Sequence, residues 1–245
     1  MKTFMTVSIL LMVNAGFCFG APIDGGFESG LTEWTSAYED DGTNTSHSNE
    51  LYTTTTYHYS GASALWGKAT IVGDNQGSFP SEPWDPPGRD WCHTHIWSGL
   101  TNLTNVTSIQ LYLRDFQSNP SNIGWGWGQE VFLALSDGTY TVQALLVENH
   151  EPTWTPQPHT TSVGSDGQTW FGFDIALTSA NFGSGLDSLN KSSAKVGVYW
   201  EADSWTYVSQ TLWAGAAVDD IQLIPEPATI SLLAFGGLFL LRRKK

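Results

Sequence analysis

Apolar residues in this chain recur at every second position in short runs, and no long stretch keeps a helical period. Period two places alternate side chains on opposite faces of a strand. In SIQLYLRDF, 108–116, Ile109, Leu111 and Leu113 form one apolar face. In EVFLALSDGTYTVQALLVEN, 130–149, Val131, Leu133 and Leu135 point one way, and Phe132, Ala134 and Ser136 the other. Asp137-Gly138 follows, which predicts a hairpin closed by a two-residue turn. LYTTTTYHY, 51–59, and ALWGKATIV, 64–72, are rich in strand formers and predict a second pair joined near Ser60-Gly61. Further strands are expected over 169–177, 194–200 and 216–224.

Turn-rich spacers separate these runs, so the expected fold is all-β, an antiparallel β-sandwich of jelly-roll type. Residues 79–91, with four prolines, read as a long loop, as do 118–129 and 149–167. No internal repeat stands out.

The two ends differ from the body. Lys2, the apolar stretch Val7–Val13 and the small residues Gly20 and Ala21 have the layout of a secretory signal peptide over 1–21. Ala228–Leu241 is uncharged and would span about 21 Å as a helix, short of the roughly 20 residues that a bilayer core needs. Arg242, Arg243, Lys244 and Lys245 follow at once and would stay on the cytoplasmic side. Between the ends lie residues 22–224, enough for one β-rich domain or two small ones, and the expected organisation is one β-sandwich domain. That body carries five Lys and Arg against 23 Asp and Glu, a net charge of −18. Such a charge disfavours nucleic acid and anionic polysaccharide and attracts cations. Its one cysteine, Cys92, allows no disulfide within the body.

All twelve tryptophans lie in the body. Trp66, Trp170 and Trp200 fall in expected strands and are assigned to the core. Trp84, Trp91, Trp125, Trp127 and Trp154 fall in expected loops, where burial is least forced. They are candidate platforms for stacking sugar rings, with Arg89 or Arg114 as hydrogen-bond donors. Cys92-His93-Thr94-His95 is a poor zinc site, because adjacent strand residues face opposite ways. Glu201 and Asp203 alternate, but beyond the expected strand 194–200; no carboxylate set typical of a hydrolase stands out.

Two resemblances follow from these residues. Pro225-Glu226-Pro227, the short apolar segment and the basic tail, 225–245, resemble the PEP-CTERM sorting signal of exported bacterial proteins. That resemblance implies handling by an exosortase at the inner membrane, and delivery to the cell envelope or an extracellular matrix. IDGGFESGLTEW, 23–34, and AAVDDIQLI, 216–224, resemble the opening and closing strands of galactose-binding-like jelly-roll carbohydrate-binding modules. There the opening glutamate and closing aspartate often hold a structural Ca2+; the matching residues are Glu28 and Asp220, with Asp24 or Asp219 assisting. Three classes stay open: a polysaccharide-binding surface protein, a structural envelope or matrix protein without a glycan ligand, and a polysaccharide-acting hydrolase.

Overall fold

The computed structural model describes residues 23–40, 46–72, 90–118, 129–149, 154–156, 159–204 and 211–226. Within them the chain is a sandwich of two six-stranded antiparallel sheets. In chain order the strands are β1 (Trp34–Asp40), β2 (Ser46–Thr54), β3 (Ala64–Val72), β4 (Asp90–Ser98), β5 (Val106–Ser118) and β6 (Gln129–Ser136). They continue as β7 (Thr141–Asn149), β8 (Trp154–Pro156), β9 (Thr160–Val163), β10 (Thr169–Ala176), β11 (Lys195–Ser204) and β12 (Thr211–Pro225). The first sheet has the order β1-β4-β11-β6-β7-β8 and the second β2-β3-β12-β5-β10-β9. A single helical turn, α1 (Ser179–Phe182), and a short 3-10 turn lie between β10 and β11. Among the described residues no helix is long and apolar enough to cross a membrane.

Alternation builds the core as expected. Ile109, Leu111 and Leu113 of β5, and Val131, Leu133 and Leu135 of β6, are wholly buried between the sheets. Val196, Val198, Trp200 and Ala202 of β11 join them. Trp200 spans the gap: its Nε1 donates to Ala216 O at 3.2 Å, and its ring lies so close to Gly67 that a Cβ there would overlap it. Each fully buried large side chain stabilises by about 1.5–3 kcal/mol.

Three expectations shift. The strand expected over 51–59 ends at Thr54, because Tyr59 and Ser60 send their N–H groups to Asp219 on β12 and His58 sends its N–H to Asp166 in the turn before β10. The pairing of β2 with β3 holds, with Glu50 opposite Lys68 and Thr54 opposite Ala64. The turn at Asp137-Gly138 is four residues long, since Ser136 pairs with Thr141. Asp137 Oδ1 accepts from Thr139 and Tyr140 N–H, which closes the longer turn, and Gly138 takes φ 86°. Strand β11 runs to Ser204 rather than ending at 200, so Glu201 lies inside the sheet.

Candidate functional site

The expected calcium ligands lie at one end of the second sheet. Asp219 is fully buried; its Oδ2 accepts from Tyr59 N–H at 2.6 Å and Ser60 N–H at 3.0 Å, and its Oδ1 from Asp220 N–H at 2.7 Å. Glu28 Oε1 accepts from Ala62 N–H at 2.8 Å and Ser63 N–H at 3.0 Å. Asp24 Oδ2 takes Ser29 N–H at 2.9 Å. The group thus clamps the 59–63 loop, and Gly61 leaves the space that the Glu28 carboxylate fills. Phe27 and Asp220 adopt φ of 53° and 54°, the left-handed region, to aim their neighbours at that loop. Calcium needs six to eight oxygens. Asp219, Glu28 and Asp24 each accept from backbone N–H groups, and among the described residues no group of three or more His, Cys, Asp or Glu is arranged to hold a metal. A structural Ca2+ at Glu28, Asp220, Asp24 and Asp219 remains the expectation of the resemblance, and melting with and without chelator tests it: a lower Tm that added calcium restores supports the ion, and identical melting overturns it.

Of the expected sugar platforms, Trp84, Arg89, Trp125 and Trp127 lie outside the described residues, and for Trp154 only its place in β8 is described. Arg114 is on the outer face of the second sheet, bonded to Asp166 Oδ2 at 2.6 Å and set over the Tyr57 ring at 5.0 Å. It cannot serve a ligand on the first sheet. Trp66 and Trp170 also belong to that outer face, buried under Tyr57 and Tyr59 in a cluster apart from the main core. Trp91 is not in a loop: it is the second residue of β4.

Strand β4 carries the most distinctive surface. Cys92, Thr94, Ile96 and Ser98 face inward and are buried. Trp91, His93, His95 and Trp97 therefore share the outer face of the first sheet. Across from them on β11 stand Gly197, Tyr199 and Glu201, opposite Trp97, His95 and His93. The rings form a continuous set. Centroids lie 4.6 Å apart for Trp91 and His93, 4.4 Å for the stacked pair His95 and Tyr199, and 5.5 Å for the edge-on pair Trp97 and Tyr199. His93 Nε2 lies 3.2 Å from Glu201 Oε2.

Gly197 explains why Trp97 can lie across the sheet. A Cβ at 197 would meet the Trp97 ring and Ile96 O at 2.5 Å. Both tryptophans are half-buried, while Tyr199 and His95 beneath them are buried. The result is a buried polar pair, His95 and Tyr199, beside two half-buried indole rings. Burial pushes the Tyr199 hydroxyl up to about 12 and pushes His95 down, so both are neutral near pH 7. Gly197→Ala is expected to cost about 2 kcal/mol, the range for overpacking, and to move Trp97 off the sheet. Denaturant unfolding and tryptophan fluorescence would check both effects.

The sequence holds a signal for this face that a reading of loops passes over: Trp-x-His-x-His-x-Trp over 91–97 with Tyr-x-Glu over 199–201. What no spacing shows is that β4 and β11 are neighbours.

No protein-family model matches the chain, and no curated protein does. Solved structures with a similar course of chain exist. One, from work on carbohydrate-binding modules of the β-sandwich superfamily, is 13% identical with a TM-score of 0.42, covering 84% of this chain and 63% of that one. This chain thus spans less than two thirds of that structure's length. A family 11 carbohydrate-binding module of a Clostridium thermocellum cellulosomal cellulase is 10% identical with a TM-score of 0.39, covering 83% of this chain and 94% of that one. A cleaved adhesin domain of Lys-gingipain from Porphyromonas gingivalis is 9% identical with a TM-score of 0.38, covering 82% of this chain and 96% of that one. All three TM-scores fall below 0.5, so a functional reading has to rest on the face itself.

Proposed function

We propose that this is an exported envelope or matrix protein that binds polysaccharide on the outer face of its first sheet, between Trp91 and Trp97. One observation carries the reading: the Trp97 ring packs over Gly197, where no Cβ would fit, beside the buried rings of His95 and Tyr199 and the cross-strand pair His93 and Glu201. A pyranose has an apolar ring face and a polar rim. Half-exposed indole rings suit the first, and buried, oriented polar groups suit the second. A stable core has no need of two half-exposed tryptophans on its outer surface.

Export and location rest on the chain ends, residues 1–21 and 225–245, which lie outside the described residues apart from Pro225 and Glu226. In this reading the signal peptide carries the acidic body across the inner membrane. An exosortase then recognises Pro225, Glu226 and Pro227 with the tail behind them. Cell fractionation with mass measurement tests this: the protein should be found outside the inner membrane, and should lack the tail. A full-length chain in the cytoplasm would refute it.

Binding is tested by glycan-array screening of the purified protein and by pull-down on insoluble polysaccharides. Retention of wild type, and release on Trp97→Ala with the fold intact, is the expected outcome.

A second reading has its own observation. Glu201 and Glu130 are directly opposite on neighbouring strands of this face. Paired carboxylates are what glycoside cleavage uses. Release of reducing ends from a bound polysaccharide, abolished by Glu201→Gln, would establish it; binding without release leaves the face a binding site.

A further inference from the structure

On the binding reading above, which this inference rests on, Trp97 is the ring that matters most, and two other rings build its seat. It stands edge-on to both: its centroid lies 5.5 Å from Tyr199 at 80° and 6.0 Å from His95 at 67°. Those two rings stack on one another across β4 and β11, 4.4 Å apart and 17° from parallel. Gly197 leaves the room that the indole occupies. Trp97 therefore keeps its place only while the His95–Tyr199 stack keeps its own.

His95 is the unusual member of that seat. It is 2% exposed, and its Nδ1 is buried with no hydrogen-bond partner among the described residues. A neutral imidazole can carry its one proton on Nε2 and leave Nδ1 bare. An imidazolium carries a proton on both nitrogens. Charging His95 in place would put a donor where the described residues offer no acceptor, and a buried donor left unmet costs its full desolvation. Burial is the largest influence on the ring and holds its pKa below the usual range. Glu39 on β1 pulls the other way, and His93, the neighbouring outward residue of β4, adds to burial. From β11 the ring faces Tyr199, which burial keeps protonated, and Glu201 stands beside it, paired with His93. A ring that leaves the stack for water titrates near about 6.5. Below that pH the unstacked ring takes a proton that the stacked one refuses, so acid favours unstacking; above it the stack is kept in full.

We propose that His95 is a positioning residue for Trp97 and makes the face acid-releasing: polysaccharide is held near neutral pH and let go in mildly acid surroundings. The residue acts through its neighbours. When the imidazole turns out to water, Tyr199 loses the ring it stacks on and Trp97 loses one of the two rings it stands against. The indole is then no longer set in advance for a sugar, and the ordering it had been spared falls on the binding step.

The test is an array of neutral glycans, with cellulose, xylan, mannan and galactan fragments among them, read with the purified protein at about pH 7.5 and about pH 5. No group on such glycans titrates, so a pH effect belongs to the protein. Wild-type affinity should fall several-fold between the two, and by no more than about thirtyfold, the protonation ratio of an unstacked imidazole at the lower pH. His95→Phe keeps a flat ring that takes no proton. Whatever its affinity at the higher pH, it should show no fall at the lower one. His95→Gln, which also takes no proton, gives the same readout should the phenylalanine variant not fold. His93→Gln should keep the fall, which separates the buried ring from its partly exposed neighbour. Tryptophan emission should change over the same range in wild type and not in His95→Phe. Equal wild-type affinity at the two pH values, a fall that both His95 variants retain, or one that His93→Gln abolishes overturns the assignment to His95 and leaves the binding face standing. If no glycan on the array binds wild type at either pH, the binding reading fails and this one with it.

Discussion

Replacing Asp219 with alanine should lower the unfolding free energy by about 3 kcal/mol at mildly acid pH, the cost of leaving buried N–H donors without acceptors. Three donors are involved: Tyr59, Ser60 and Asp220 N–H. The carboxyl ties β12 to the start of the loop that covers Trp66 and Trp170, so its loss also loosens that second cluster. Urea unfolding measures the first effect, and proteolysis of the 55–63 segment the second.

The same residue gives a pH dependence with a definite sign. Burial pushes the Asp219 carboxyl up to about 7, although three N–H donors pull the other way. A free aspartate ionises near 4. From about pH 4 to about pH 7 the unfolded chain has lost this proton and the folded chain keeps it, so stability falls with rising pH and levels off above about 7. Asp219→Asn has no proton to lose there. The stability difference, wild type minus Asp219→Asn, should therefore shrink as pH rises through that window. A difference that grows instead would mean that the amide donors outweigh burial and hold the group ionised.

The second large effect is on binding. Trp97→Ala should weaken polysaccharide binding by roughly 2 kcal/mol, a hot-spot loss of about thirtyfold, because its ring is held over Gly197 and already in place for stacking. Trp91→Ala should cost less, since its ring leans on His93 at 34° rather than lying over a glycine. Stability should change little in either, as both rings lie outside the core. Titration calorimetry beside thermal melts separates the two quantities.

Much of the sandwich is legible in the chain and the face is not, for one physical reason. Where one set of alternate residues is greasy and the other polar, as at 108–116 and 131–136, period two gives both strand and inner face. Strand β4 breaks that contrast. Its inward set is Cys92, Thr94, Ile96 and Ser98, and its outward set holds the larger rings, so it reads as neither alternation nor core. Strand β1 is an edge with Trp34 as its one buried residue, and gives no pattern either. The cross-strand run His93, Glu201 and Glu130 is further from view, because register alone brings these residues together. The bookends over 23–34 and 216–224 do meet: Ile221 N–H donates to Gly25 O at 3.1 Å. Their carboxylates serve backbone amides, a use that residue types cannot distinguish from metal ligation.

The most direct test of the account compares three proteins on one polysaccharide-coated surface: wild type, Trp97→Ala, and Tyr52→Ala, which alters an exposed ring on the second sheet. Wild type and Tyr52→Ala should bind alike while Trp97→Ala washes off with its melting curve unchanged. Equal retention of all three, or loss on Tyr52→Ala alone, would contradict a binding face on the first sheet.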